Sequence, residues 1–142
     1  MMNIIDVSYP EKHADFIARC HDAGQLKSTP LVPKYGEDDY NCHHQGLYGQ
    51  HIFPLQLMIL LSEPQNDFIR GEFVLTEQRH ACNLVQKLYH SDGNIAVVVF
   101  AVHNRPVKGT HGNVYRVNLR HGVSRIRSRN RYTLGIIFHD AR

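Results

Sequence analysis

From Pro30 to Phe138 the chain is a succession of short strand-like runs, and this restricts its possible folds more than any other feature. The runs are Pro30 to Tyr35, Phe53 to Leu61, Glu72 to Thr76, Ile95 to Val102, Val114 to Val123 and Tyr132 to Phe138. Each is rich in β-branched or aromatic residues and bounded by Gly, Pro, Asn or Asp. Gly36-Glu37-Asp38-Asp39 reads as a turn after the first of them. Helical periodicity occurs once. Pro10 is placed for a helix start, Phe16, Ile17 and Cys20 recur at helical spacing, and Gly24 ends the segment, which predicts one helix over about 11–23. Five or six strands with a single helix predict a mainly β sandwich or jelly roll with the helix packed outside it. A chain of 142 residues suits one such domain, and no repeat or linker divides it.

The net charge of +3 conceals a division along the chain. Residues 1–78 carry 5 Lys and Arg against 11 Asp and Glu, or −6, and residues 79–142 carry 11 against 2, or +9. No apolar run approaches the roughly 18 residues of a membrane span, and the N-terminal stretch lacks the basic and apolar regions of a secretion signal. The expectation is a cytoplasmic protein with no membrane partner. Cys20, Cys42 and Cys82 have no paired spacing, so they read as reduced thiols. Cys42, His43, His44 and His51 lie close together but lack the regular spacing of a zinc site.

Two strands carry more specific information. Alternation in Val114 to Val123 puts Tyr115, Val117, Leu119, His121 and Val123 on one face and Arg116, Asn118 and Arg120 on the other. His121 is therefore expected on the core side. In Arg131 to Phe138, Arg131 and Thr133 share the face opposite Tyr132, Leu134 and Ile136. If that face lines a cavity, a guanidinium and a hydroxyl two residues apart suit a carboxylate.

The stretches YNCHHQGLYGQHIFPLQLMILLSEP, DFIRGEFVLTEQR, VVFAVHNRPVKGT and VYRVNLRHGVSRIRSRNRYTLGIIFHDA resemble the iron(II)- and 2-oxoglutarate-dependent oxygenases, in a bacterial prolyl-hydroxylase-like branch. The resemblance runs from about Phe16 to the C-terminal region, and its last motif is the most specific. It implies a double-stranded β-helix, a jelly-roll form, as a single domain over 1–142. The implied metal ligands are His44 and His121, and Arg131, ten positions after His121, with Thr133, would hold the co-substrate's far carboxylate. The implied cofactors are Fe(II) and 2-oxoglutarate, and the implied primary substrate is a peptide or protein residue.

The chain departs from the family pattern at several points. Gly46 stands where the third metal ligand, a carboxylate, is expected. Two imidazoles and a carboxylate on one face of Fe(II) leave three positions for co-substrate and dioxygen; with glycine, weak or lost metal binding is expected unless another group fills the gap. Arg70-Gly71-Glu72-Phe73 replaces the usual Gly-Gly-Glu-Phe, and the segment HACNLVQKLYHSDGN matches the usual connection poorly. Relatives carry more sequence ahead of the helix, so the resemblance reads this chain as N-terminally shortened.

Three alternatives to a working hydroxylase follow: a degenerate scaffold without turnover; a halogenase, in which a small residue makes room for chloride; and a nucleic-acid binder. The last rests on Arg125, Arg127, Arg129 and Arg131, alternating with Ile126, Ser128 and Asn130, a stripe able to follow phosphates or to lie solvated.

Overall fold

The computed structural model describes residues 8–78, 83–89, 97–109 and 112–142, with the backbone alone for 83–89. Cys82, most of the segment HACNLVQKLYHSDGN and the first two residues of the expected strand from Ile95 lie outside them. One helix, α1 (His13–Asp22), is followed by eleven strands. These are β1 (Lys34–Tyr35), β2 (Asn41–His44), β3 (Leu55–Leu60), β4 (Phe68–Arg70), β5 (Phe73–Gln78) and β6 (Asn83–Tyr89). The rest are β7 (Val97–Ala101), β8 (Arg105–Lys108), β9 (Val114–Val123), β10 (Ile126–Arg129) and β11 (Arg131–Ile137).

Every strand pairing is antiparallel. One sheet has the order β1-β11-β3-β7, a second β2-β9-β5-β6 with β8 added to β9, and β10 pairs with β4 in a short ribbon. Apart from the consecutive pairs β5–β6 and β8–β9, neighbours in these sheets are far apart in sequence, as β11 between β1 and β3 illustrates. The result is the expected mainly β, jelly-roll sandwich with an N-terminal helix.

Alternation explains why these strands face one another. Along β3, Gln56, Met58 and Leu60 are buried while Leu55 is exposed. Along β9, Val117, Leu119 and Val123 point inward while Arg116 and Arg120 are exposed. Met58, Leu60, Phe73, Leu75, Val98, Phe100, Val117, Leu119 and Ile126 form one continuous core between the sheets. Each such side chain contributes roughly 1.5–3 kcal/mol by leaving water.

Helix α1 lies outside this core. Its Phe16 packs edge-on to Phe53, with ring centroids 5.5 Å apart, and Cys20 is fully buried beneath it. Burial raises the Cys20 thiol pKa, which keeps it protonated and inert. Gln25, just past the helix, is fully buried and ties three segments together. It donates to the carbonyls of His51 (3.0 Å) and Asp140 (2.6 Å) and accepts from the His51 amide (2.7 Å).

Candidate active site

Two strands that the register sets side by side bring the histidines together. His44 on β2 is the direct partner of His121 on β9, and their ring centroids are 4.2 Å apart. Gly122 permits this approach, because a Cβ there would lie 2.6 Å from the Asn41 carbonyl oxygen. The 77-position separation of the histidines is thus closed by sheet pairing. His44 Nδ1 lies 2.9 Å from the Cys42 carbonyl, an acceptor, so Nδ1 carries a proton and Nε2 is the ring nitrogen left for a ligand. His121 packs against Phe100 (4.9 Å) and Phe73 (5.8 Å), and its Nδ1 is buried without a hydrogen-bond partner. Burial, followed by the nearby charges of His44 and His43, pushes the His121 pKa down to about 3. The imidazole is therefore neutral at physiological pH.

The opposing sheet supplies the cation. Arg131 opens β11, is only 1% exposed, and has Nε and Nη1 buried with no hydrogen-bond partner. Its guanidinium lies over the rings of Tyr35 (5.6 Å) and Phe68 (5.8 Å). Desolvation lowers its pKa to about 10, partly offset by Tyr35. The side chain stays charged at neutral pH, and among the described residues two of its buried nitrogens find no hydrogen-bond partner. Thr133, also buried, follows on the same face. His44, His121, Arg131 and Thr133, all anticipated from sequence, line one cavity, together with Tyr35, Asn41, Gln56, Phe73 and Phe100.

The same geometry separates Arg131 from the other arginines of the stripe. Arg125, Arg127 and Arg129 are exposed. Arg125 pairs with Asp38 at 3.3 Å and lies over the Tyr40 ring, while Arg129 donates to the Asn66 carbonyl. A left-handed backbone at Arg129 (φ 66°) interrupts the alternation, and Arg131 turns inward.

The donor set fits the two implied groups unequally. Unpartnered N–H groups on a buried guanidinium, with a hydroxyl two residues on, suit the far carboxylate of 2-oxoglutarate. Two imidazoles side by side, His121 in its neutral form, offer nitrogen donors for two positions on a metal. Among the described residues, no three His, Cys, Asp or Glu side chains converge on a metal position. The acidic residues nearest in sequence are engaged elsewhere: Asp39 accepts from the Gly36 amide (2.7 Å), and Asp38 meets Arg125.

Gly46 is buried, and an added Cβ there would stand 2.1 Å from Gln56 Nε2 and 3.0 Å from Gln56 Oε1. Gln56 was not singled out from sequence. Its signal was a lone polar residue within an apolar run, in register with Met58 and Leu60 on the core face. Tyr35 and Phe68, which flank the guanidinium, carried no local signal of that role.

The mainly β sandwich thus brings two histidines and a buried arginine to one cavity. A family model described as "Oxygenase, catalysing oxidative methylation of damaged DNA" matches residues 2–141, and the chain belongs to that oxygenase family. The match reaches oxygenase and does not extend to the prolyl-hydroxylase-like branch. Two uncharacterized proteins of Mycobacterium tuberculosis, MT2286 of strain CDC 1551 / Oshkosh and Rv2227 of strain ATCC 25618 / H37Rv, are each 43% identical over 139 residues. The alignment covers 96% of this chain and 58% of each relative, so the chain spans little more than half their length. No solved structure matches. Among the described residues, no helix is long and apolar enough to cross a membrane.

Proposed function

We propose that the chain is an iron(II)- and 2-oxoglutarate-dependent oxygenase domain acting on a methylated base in DNA. The observation that carries the proposal is Arg131: a buried, charged guanidinium with two unpartnered nitrogens, in the same cavity as His44 and His121. Without an anionic ligand, its cation–π contacts only partly offset the cost of burying the charge. With one, it becomes the co-substrate anchor, and Thr133 adds a hydroxyl.

His44 and His121 would hold the metal through ring nitrogens, with the Cys42 carbonyl fixing the His44 tautomer. Iron with 2-oxoglutarate and dioxygen supplies the oxidising chemistry when bound, and the protein supplies orientation and a partly dry pocket. Phe73 and Phe100 pack against His121 and limit water there.

The DNA substrate rests on the family description and on charge placement. An oxygenase delivers oxygen and no carbon, so its chemistry on an N-methylated base is hydroxylation of the methyl group. One oxygen atom enters the C–H bond, and the other ends in succinate as carbon dioxide leaves. The hydroxymethyl product then breaks its C–N bond and releases formaldehyde. The base must leave the stack to reach a cavity of this kind. Exposed Arg120 and Arg127, with no acidic partner among the described residues, provide charge for backbone contacts.

A second reading, a scaffold that binds without turnover, is favoured by the missing carboxylate at Gly46. The Gln56 carboxamide beside Gly46 occupies room that a halogenase would need for chloride, which disfavours that alternative. Purified protein supplied with Fe(II), 2-oxoglutarate and oxygen is tested on oligonucleotides with and without an N-methylated base. The proposal predicts succinate and formaldehyde in equal amounts, dependent on the methyl group. Succinate without formaldehyde contradicts the substrate, and co-substrate binding without succinate supports the scaffold reading.

A further inference from the structure

We infer that Gln56 supplies the third, neutral oxygen donor of the metal site, in place of the carboxylate absent at Gly46. The inference rests on the two-histidine metal reading above and extends it to a residue outside the sequence motif.

Gln56 lies on β3, in the sheet opposite His44 and His121, and alternation turns it inward with Met58 and Leu60. It is 2% exposed and lines the cavity shared by His44, His121 and Arg131. Its Nε2 donates to the Gly46 carbonyl at 3.0 Å, which fixes the amide plane and its orientation. The same bond occupies Nε2 and leaves Oε1 as the acceptor end of the carboxamide.

Placement relative to residue 46 is the second observation. The positions of Gln56 Nε2, Cδ and Oε1 lie 2.1, 3.0 and 3.0 Å from where a Cβ of residue 46 would stand. An aspartate at 46 would extend into the space that the carboxamide now fills. Glycine and glutamine are therefore a matched pair: glycine vacates the volume and glutamine enters it from the facing strand. An amide oxygen is an accepted ligand for hard cations, though it lacks the charge of a carboxylate. The site should consequently bind a divalent ion more weakly than one with two histidines and a carboxylate.

The test is anaerobic titration of the purified chain with Co(II), read by visible absorption without substrate or turnover. Wild type is compared with Gln56→Leu, Gln56→Glu and His44→Ala, with folding checked by circular dichroism. The expected result is loss of affinity by about tenfold or more in Gln56→Leu, and a gain in Gln56→Glu, whose anionic oxygen is the stronger donor. Because an added carboxylate strengthens cation binding by charge alone, the decisive sign is a changed Co(II) ligand-field spectrum in Gln56→Leu and Gln56→Glu, which a residue that merely packs against Gly46 would leave unaltered. Equal affinity in wild type and both Gln56 variants, with binding lost in His44→Ala, overturns the role of Gln56 and leaves the histidine site standing. Wild type that takes up no Co(II) overturns both.

Discussion

Arg131→Met should make the protein more stable while removing co-substrate binding. The guanidinium is 1% exposed, two of its nitrogens have no hydrogen-bond partner among the described residues, and its pKa is lowered to about 10. That displacement corresponds to a penalty on the order of 3 kcal/mol for keeping the charge in place. Methionine retains much of the aliphatic stem and its contact with Tyr35 and Phe68, and it brings no charge. Part of the gain is lost to the smaller volume and the missing cation–π contacts, leaving about 1–3 kcal/mol of net stabilisation. For a chain of this length that is a rise in Tm of roughly 3–10 °C. The assay is thermal and urea unfolding of the ligand-free protein at pH 7, followed in parallel for wild type and variant. A variant destabilised by 2 kcal/mol or more would refute the reasoning, because it would mean that the guanidinium is already compensated in the free protein.

Gly46→Ala should destabilise the fold by about 1–3 kcal/mol, since its Cβ meets the Gln56 amide at 2.1 Å. Adding Gln56→Ala should recover part of that loss. A double-mutant cycle by urea unfolding measures the coupling, and strict additivity would contradict the contact. His139 is fully buried and its Nδ1 accepts the Phe53 amide proton at 3.2 Å; burial lowers its pKa, with Asp140 opposing. Its neutral form thus contributes stability above pH 6.5 that is lost as the pH falls through its depressed folded value. The urea midpoint should drop less steeply between pH 7 and pH 5 in His139→Asn, whose Oδ1 is a non-titrating acceptor in the Nδ1 position. If DNA lies along the exposed arginines, Arg127→Ala should reduce the slope of log affinity against log salt by about 0.9. An unchanged slope in a fluorescence-anisotropy titration would place the DNA elsewhere.

The residues of the candidate site differed in how far the sequence revealed them. His121 was placed on the core side by the two-residue period of its strand, whereas the same period put Arg131 and Thr133 opposite the apolar face of theirs, and only the family resemblance gave that face a cavity. His44 was nominated only through the family motif, because Asn41-Cys42-His43-His44 has no apolar alternation to mark it as β2. Its pairing with His121 is a matter of register between strands 77 residues apart. Strands β4, β8 and β10 went unrecognised for a related reason: each has only three or four residues, and Arg105–Lys108 contains a proline.

Gln56 illustrates a different limit. Its polarity within an apolar strand was visible, but its meaning depends on Gly46 standing across from it. The arginine stripe was misleadingly uniform in sequence. One left-handed residue, Arg129, separates three exposed arginines from the buried one.

The central claim is that one cavity holds a metal on His44 and His121 and a dicarboxylate on Arg131. Anaerobic calorimetric titration of 2-oxoglutarate into the Co(II)-loaded chain, with Arg131→Met and His121→Ala alongside wild type, tests it most directly. The account predicts one-to-one binding in wild type, at least about a hundredfold weaker in Arg131→Met, where a charge-assisted pair is lost, and dependent on Co(II). In His121→Ala both metal and co-substrate binding should fall together. Binding of 2-oxoglutarate that is unchanged by Arg131→Met, or absent from the metal-loaded wild type, would contradict it.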